Sequence, residues 1–82
     1  MKIRFFRKYK FKLKRYKESK NYLQLAVRLM PADPIVNDHF GDVLWKNNKK
    51  IQARYYWNYV LKLEDAKEDL KEKIKDKLIL GL

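Results

Sequence analysis

The chain has 82 residues and a formal net charge of +11, with 21 Lys and Arg against 10 Asp and Glu, so it is long enough for one small domain. The absence of cysteine excludes disulfides and cysteine zinc sites, and two glycines and two prolines are too few for the turns of an all-β fold. No apolar run approaches the ~18 residues that a membrane helix needs, and no signal-peptide pattern follows the basic N-terminus, so we expect a cytoplasmic protein.

The positive charge is concentrated at the N-terminus. Residues 1–20 hold ten Lys and Arg against one acid, Glu18, whereas residues 21–82 hold eleven against nine. Within residues 1–14, aromatic residues alternate with lysines as in a strand, yet the apolar residues also have helical spacing. Because the chain offers no partner strand, the sequence favours a basic N-terminal helix here over an unpaired or disordered arm.

The sequence repeats itself at a fixed offset of about 34 residues, which we call the repeat period. Segment 22–29 can be laid over segment 56–63 with its aromatic, apolar and basic positions largely kept. A shorter match continues one period later, where Phe40 falls on Ile74. A fixed period of this length indicates a helical-repeat architecture. The chain then divides into a partial unit, a complete unit and a half unit.

The complete unit, residues 33–63, has the pattern of two helices. Asp33 is a helix N-cap, and Pro34 stands at the first helical position, where its missing N–H costs nothing. Residues 46–49 form the predicted turn, in which Asn48 tolerates a left-handed backbone. Gly41 lies in the middle of the first helix, which suggests a crossing point with no room for a Cβ atom.

A last helix is predicted over residues 65–80. Asp65 begins it with a pattern similar to a capping box, acidic residues crowd its first turns, and Gly81 is a plausible stop. Its apolar stripe comprises Leu70, Ile74 and Leu78.

These residues resemble the tetratricopeptide repeat (TPR) family, whose unit is a helix–turn–helix of the same length. The resemblance is strongest over residues 33–63. The packing positions that it implies there are Phe40, Gly41, Leu44, Ala53, Trp57 and Val60. Residues 15–31 resemble the second helix of a preceding, partial repeat. The positions that carry this match are Leu23, Ala26 and Pro31.

The resemblance also implies the overall architecture. Residues 65–80 are similar to the capping helix that follows the last repeat in this family, and residues 31–42 are similar to the C-terminal end of longer bacterial TPR proteins. The expected fold is an all-α, antiparallel helix–turn–helix stack in a single domain, residues 1–82. So short a stack should be stable by only ~4–8 kcal/mol. An apolar face left open at its N-terminal end makes weak self-association plausible.

The first unit departs from the family pattern. Arg7 stands where Gly41 stands in the second unit, and Lys10 stands where Leu44 stands. Residues 1–14 are therefore either a marginal repeat helix or no repeat helix at all.

The function that the resemblance implies is protein–protein interaction, as a scaffold or adaptor that binds a partner peptide or helix in the concave groove. The positions that line the groove are Asp38, Asp42, Trp45, Lys46, Glu72 and Asp76. We expect the four carboxylates to cluster on one face that accepts a basic or amphipathic segment, with Trp45 as its anchor. The alternative is a solvated face on which Arg4 and Lys8 offset the acids.

The basic N-terminus supports a second hypothesis. Lys and Arg interleaved with aromatic residues over residues 2–20 are the pairing expected for phosphate contact with base stacking, or for an anionic membrane surface. A solvated arm without a ligand is the other interpretation. The candidate contacts to an anionic ligand are Arg4, Arg7, Lys8, Lys10 and Lys12.

Nothing in the sequence indicates catalysis. Ser19 is the sole serine and falls on a helix-packing position, His39 is the sole histidine, and no glycine-rich loop is present. We therefore expect no enzyme activity, no cofactor, no metal site and no small-molecule substrate.

Overall fold

The computed structural model describes residues 16–82. Within them the secondary structure is helical throughout, and the expected all-α fold is confirmed. The helices are α1 (Tyr16–Leu29), α2 (Pro34–Lys46), α3 (Lys50–Leu61) and α4 (Glu68–Leu80). The helix or arm predicted for residues 1–14 lies outside the described residues.

The helices recur with the repeat period of the sequence. Helix α1 begins at Tyr16, and α3 begins one period later at Lys50. Helix α2 begins at Pro34 and α4 one period later at Glu68, and each of these two helices is 13 residues long. The repetition read from residue types is thus also a repetition of structure.

Local interactions define both ends of α2. The Asp33 carboxylate accepts a hydrogen bond from the backbone N–H three residues later at 3.0 Å, as predicted for an N-cap. At the other end Asn48 has a left-handed backbone with φ 66°, also as predicted. The Lys49 N–H then donates to the Leu44 carbonyl at 2.8 Å and closes a Schellman motif, so that α3 can begin immediately.

The core lies between α2, α3 and α4. Its fully buried side chains come mainly from α3, and Ile74 extends the core to α4. The rings of Phe40 and Tyr56 meet edge to face at 4.7 Å between centroids. The buried apolar members are Phe40, Leu44, Ala53, Trp57, Val60, Ala66 and Ile74.

Helices α2 and α3 approach closely at Gly41. A Cβ atom at this position would overlap Nε1 and Cδ1 of the Trp57 ring and would lie 3.2 Å from the Ala53 carbonyl oxygen. The backbone oxygen cannot move away independently of its helix. The crossing point inferred from the sequence is confirmed, and the reason for glycine here is space.

We expect Gly41→Ala to lower the free energy of unfolding by about 1–3 kcal/mol through overpacking. This loss opposes the gain of ~1 kcal/mol that alanine offers over glycine in a helix. Urea denaturation measures the difference, and Asn58→Ala, at an exposed position of α3, is the control that should be neutral or slightly stabilising. A variant more stable than the wild type would show that the two helices are not in close contact at Gly41.

Helix α4 begins later than predicted. Its first residue is Glu68, and Lys67 takes the N-cap position without a side-chain cap, so the predicted start at Asp65 is wrong. The reason is that Ala66 is buried in the core, and its N–H donates to the Leu63 carbonyl at 3.3 Å. Residues 62–67 therefore form a loop that packs Ala66 into the core, and α4 begins after it.

Each helix packs on its neighbour in sequence: α1 on α2, α2 on α3, and α3 on α4. Because successive helices run antiparallel, α1 and α3 begin at the end of the stack where α2 and α4 finish. No helix within residues 16–82 combines the length and apolar character required to cross a bilayer.

Candidate functional site

An ion-pair network connects α4 to α2. The Lys77 Nζ donates hydrogen bonds of 2.8 Å to Oδ1 of Asp38 and of 2.8 Å to Oδ1 of Asp42. The same oxygen of Asp42 accepts a hydrogen bond of 3.1 Å from Trp57 Nε1. Asp38 is only 6% exposed. We call Asp38, Asp42 and Lys77 the Lys77 cluster.

The Lys77 cluster places two carboxylates around one ammonium group. Burial raises the pKa of Asp42, and the charge of Asp38 raises it further, although the hydrogen bond from Lys77 opposes both effects. Burial lowers the pKa of Lys77, but the hydrogen bonds and charges of the two aspartates outweigh it and raise that pKa above 10.5. Lys77 therefore remains protonated at neutral pH.

At neutral pH the two pKa shifts have opposite effects on the free energy of unfolding. The raised pKa of Lys77 contributes stability that is fully present below pH 10.5, the ordinary value, and that is lost as pH rises through the folded-state value. The raised pKa of Asp42 is a cost at neutral pH, because its charged form is disfavoured, and this cost is relieved as pH falls.

The Lys77 cluster bears directly on the groove expected from the sequence. Asp38 and Asp42 do lie one turn apart on one face, but their hydrogen bonds run inward to Lys77, which the sequence analysis did not select. They are therefore an internal ion pair rather than open acidic surface. The cation that offsets them is on α4, while Arg4 and Lys8 lie outside the described residues.

The other charged groove positions are exposed. Glu72 is paired with Lys75 at 3.5 Å along α4, and Asp76 and Lys46 are on the surface. The structure thus brings together two of the four predicted carboxylates, around Lys77. Among the described residues no group of three or more potential ligands is arranged to hold a metal ion.

Trp45, the expected anchor of the groove, is partly covered by its neighbours. Its ring stacks on Trp57 with centroids 5.4 Å apart, and Lys50 Nζ and Arg54 Cζ lie 4.9 Å and 5.6 Å from its centroid. The backbone of Gly81, with φ 77°, approaches so closely that a Cβ there would overlap the indole. Trp45 is consequently half-buried at the junction of α2, α3 and α4, because α4 ends against it.

Two polar side chains in the interior, Asn37 and Lys77, were not predicted from the sequence. Asn37 is buried, and its amide donates to the carbonyls of Pro31 at 3.1 Å and Asp33 at 2.8 Å, which ties the preceding loop to α2. Lys77 is three residues beyond Ile74, so helical spacing places it beside the core-facing stripe. In both cases the helical spacing to a buried apolar residue was the signal that could have identified the side chain. The predicted contacts at Arg4, Arg7, Lys8, Lys10 and Lys12 lie outside the described residues.

A different apolar surface is open on α1. Three of its side chains are 55–77% exposed, whereas their counterparts one period later are half-buried. The exposed side chains, which we call the outer face of α1, are Tyr22, Leu25 and Leu29. Their counterparts in the second repeat are Tyr56, Tyr59 and Leu63. The difference arises because α3 packs between α2 and α4, while α1 packs on α2.

Residues 16–82 thus form an all-α stack of helical hairpins whose helices follow the repeat period. Comparison of the chain with models of protein families, with curated proteins and with solved structures finds no match. The resemblance to TPR proteins accordingly rests on the sequence pattern alone.

Proposed function

We propose that the chain is a TPR-type protein-interaction module that accepts an amphipathic helix of a partner protein on the outer face of α1. The observation that carries the proposal is the exposure of Tyr22, Leu25 and Leu29 at positions that are covered one repeat later. Full burial of a large apolar side chain contributes about 1.5–3 kcal/mol, so three such side chains provide a substantial driving force.

Repeat architecture supports the same proposal. A helical-repeat unit buries its apolar faces only by stacking against neighbours. The side chains of α1 that face its neighbouring helix are also less buried than their counterparts. They are half-buried, whereas the equivalent side chains of α3 are fully buried. The α1 positions are Ser19, Leu23 and Ala26, and the α3 positions are Ala53, Trp57 and Val60.

The concave groove is a less favourable site for a partner. A basic ligand that used Asp38 and Asp42 would first have to displace Lys77 from both carboxylates. It would also find Trp45 already packed against Trp57. The apolar outer face of α1 requires no such displacement.

A peptide with the α2 sequence, residues 33–47, is a suitable probe, because α2 is the helix that packs against α3, the repeat counterpart of α1. We expect the fluorescein-labelled peptide to bind the full chain saturably in an anisotropy titration. Leu25→Asp with Leu29→Asp should weaken binding by about tenfold or more, the equivalent of ~1.4 kcal/mol.

The matched control is Ile51→Asp, which places the same charge at an exposed aliphatic position of α3. It should leave peptide binding unchanged, and circular dichroism should show that every variant remains helical. Equal binding by the α1 variant and the control would reject the outer face of α1 as the site.

A further inference from the structure

The two ends of the helical stack carry opposite charge. At one end α1 and α3 begin while α2 and α4 finish, and we call this the basic end. Outside the Lys77 cluster, the charged residues in the terminal five residues of each helix and in the connecting loop at this end are the cations Lys17, Lys20, Lys46, Lys49, Lys50 and Arg54 and the acids Glu18 and Asp76. By the same measure the opposite end holds the acids Asp33, Glu64, Asp65, Glu68, Asp69 and Glu72 and the cations Arg28, Lys62, Lys67 and Lys71. The stack is therefore electrically polar along its length.

Contacts between helices establish that these residues share one end. Lys20 of α1 and Lys49 before α3 line the same shallow pocket. Arg54 of α3 donates a hydrogen bond of 2.9 Å to the Leu78 carbonyl in the last turn of α4. No acid occurs between Val43 and Leu63, so all the charges in the turn from α2 into α3 are positive.

The basic end also exposes large aliphatic side chains. Ile51, Ile79 and Leu80 are 77–87% exposed, at the start of α3 and the end of α4. Exposed aliphatic side chains together with lysines at one end of the stack are the composition of proteins that dock at the headgroup boundary of a membrane.

The sequence that precedes α1 is strongly basic. Residues 1–15 contain eight Lys and Arg and no acid, and α1 begins at Tyr16, at the basic end.

We infer that the basic end docks on an anionic lipid bilayer, with Ile51, Ile79 and Leu80 entering the headgroup boundary and the lysines near the anionic lipids. The exposed aliphatic side chains favour this partner over nucleic acid. A single strand would stack its bases on an aromatic ring such as the exposed Tyr55 and would make no use of Ile51, Ile79 and Leu80. The opposite charge at the far end orients the molecule with its basic end toward a negative surface. The inference does not depend on the outer face of α1.

Vesicle flotation with the full chain tests the inference. We expect binding to vesicles of phosphatidylcholine with 30% phosphatidylserine, about tenfold or more above binding to phosphatidylcholine alone. Ile51→Ser with Leu80→Ser should reduce the bound fraction on anionic vesicles by about tenfold, because the aliphatic contacts are lost while the charge is unchanged.

The chain offers a matched control at the other end. Ile35 is the second residue of α2 as Ile51 is of α3, and Met30 is an exposed apolar residue directly after α1 at the same end as Ile35. Ile35→Ser with Met30→Ser should leave vesicle binding unchanged. Equal loss in both double variants, loss in neither, or no binding to anionic vesicles would overturn the inference. Tighter binding to single-stranded oligonucleotide that is unaffected by Ile51→Ser with Leu80→Ser would identify nucleic acid as the partner instead.

Discussion

Trp57→Ala is expected to leave the chain only marginally stable at room temperature and to lower its thermal midpoint sharply. Trp57 is fully buried, its ring stacks on Trp45 at 5.4 Å, and its Nε1 donates to Asp42. Truncation of a buried tryptophan to alanine costs about 3–5 kcal/mol. A domain of this size has a free energy of unfolding of ~4–8 kcal/mol, so the substitution removes roughly half or more of it.

Far-ultraviolet circular dichroism and the thermal midpoint measure this outcome. Tyr55→Ala, two residues earlier in α3 on its exposed side, should leave both nearly unchanged. A Trp57→Ala variant with wild-type helicity and midpoint would show that the centre of the core is misplaced and that the register of the repeat is wrong.

Lys77→Met is expected to cost about 3 kcal/mol, near the lower limit for breaking a buried ion pair, because it leaves two carboxylates without their shared cation. The side chains of Lys77 and Asp38 are 17% and 8% exposed, so water can compensate only in part. Asp42 is more exposed, which is the reason to expect the lower limit. Urea denaturation at neutral pH gives the free energy of unfolding.

Two variants separate this charge effect from simple packing. Lys75→Met removes an exposed lysine two residues away and should cost less than ~1 kcal/mol, as surface pairs generally do. Adding Asp38→Asn and Asp42→Asn to Lys77→Met should restore much of the lost stability, because amides need no counter-charge. Equal costs for Lys75→Met and Lys77→Met would contradict the assigned role of the Lys77 cluster.

The pH dependence of stability at alkaline pH tests the Lys77 cluster independently. The advantage of the wild type over Lys77→Met should be full below pH 10.5 and should shrink as pH rises through the raised pKa of Lys77. The sign follows because the lysine stabilises the fold only while it is protonated. An advantage that is constant with pH would indicate that the methylene stem of Lys77, not its charge, holds α4 to α2.

Local features of the fold were predictable because they depend on residues within one turn of each other. Asp33 caps α2 through a backbone N–H three residues away, and Asn48 ends it in a left-handed conformation. The start of α4 was mispredicted because it is not local. Ala66 is drawn into the core, and this burial outweighs the capping preference of Asp65.

The candidate site was harder to predict, since its contacts join distant residues. Lys77 lies 39 residues from Asp38 and 35 residues from Asp42, and nothing in the repeat pattern singles out that separation. The partial burial of Trp45 likewise depends on residues that are distant in sequence. Family resemblance placed it on a groove, but the close approach of Gly81 covers one side of its ring.

The sequence by itself determined that the described chain is helical, that its helices recur with a fixed period, and that α2 begins after Asp33. These properties follow from periodicity and capping, which act over a few residues. The tertiary structure decided which charges are neutralised, which aromatic rings are covered, and which aliphatic side chains share one end of the stack. Such properties depend on how helices distant in sequence pack, and a linear pattern of residue types does not specify that packing.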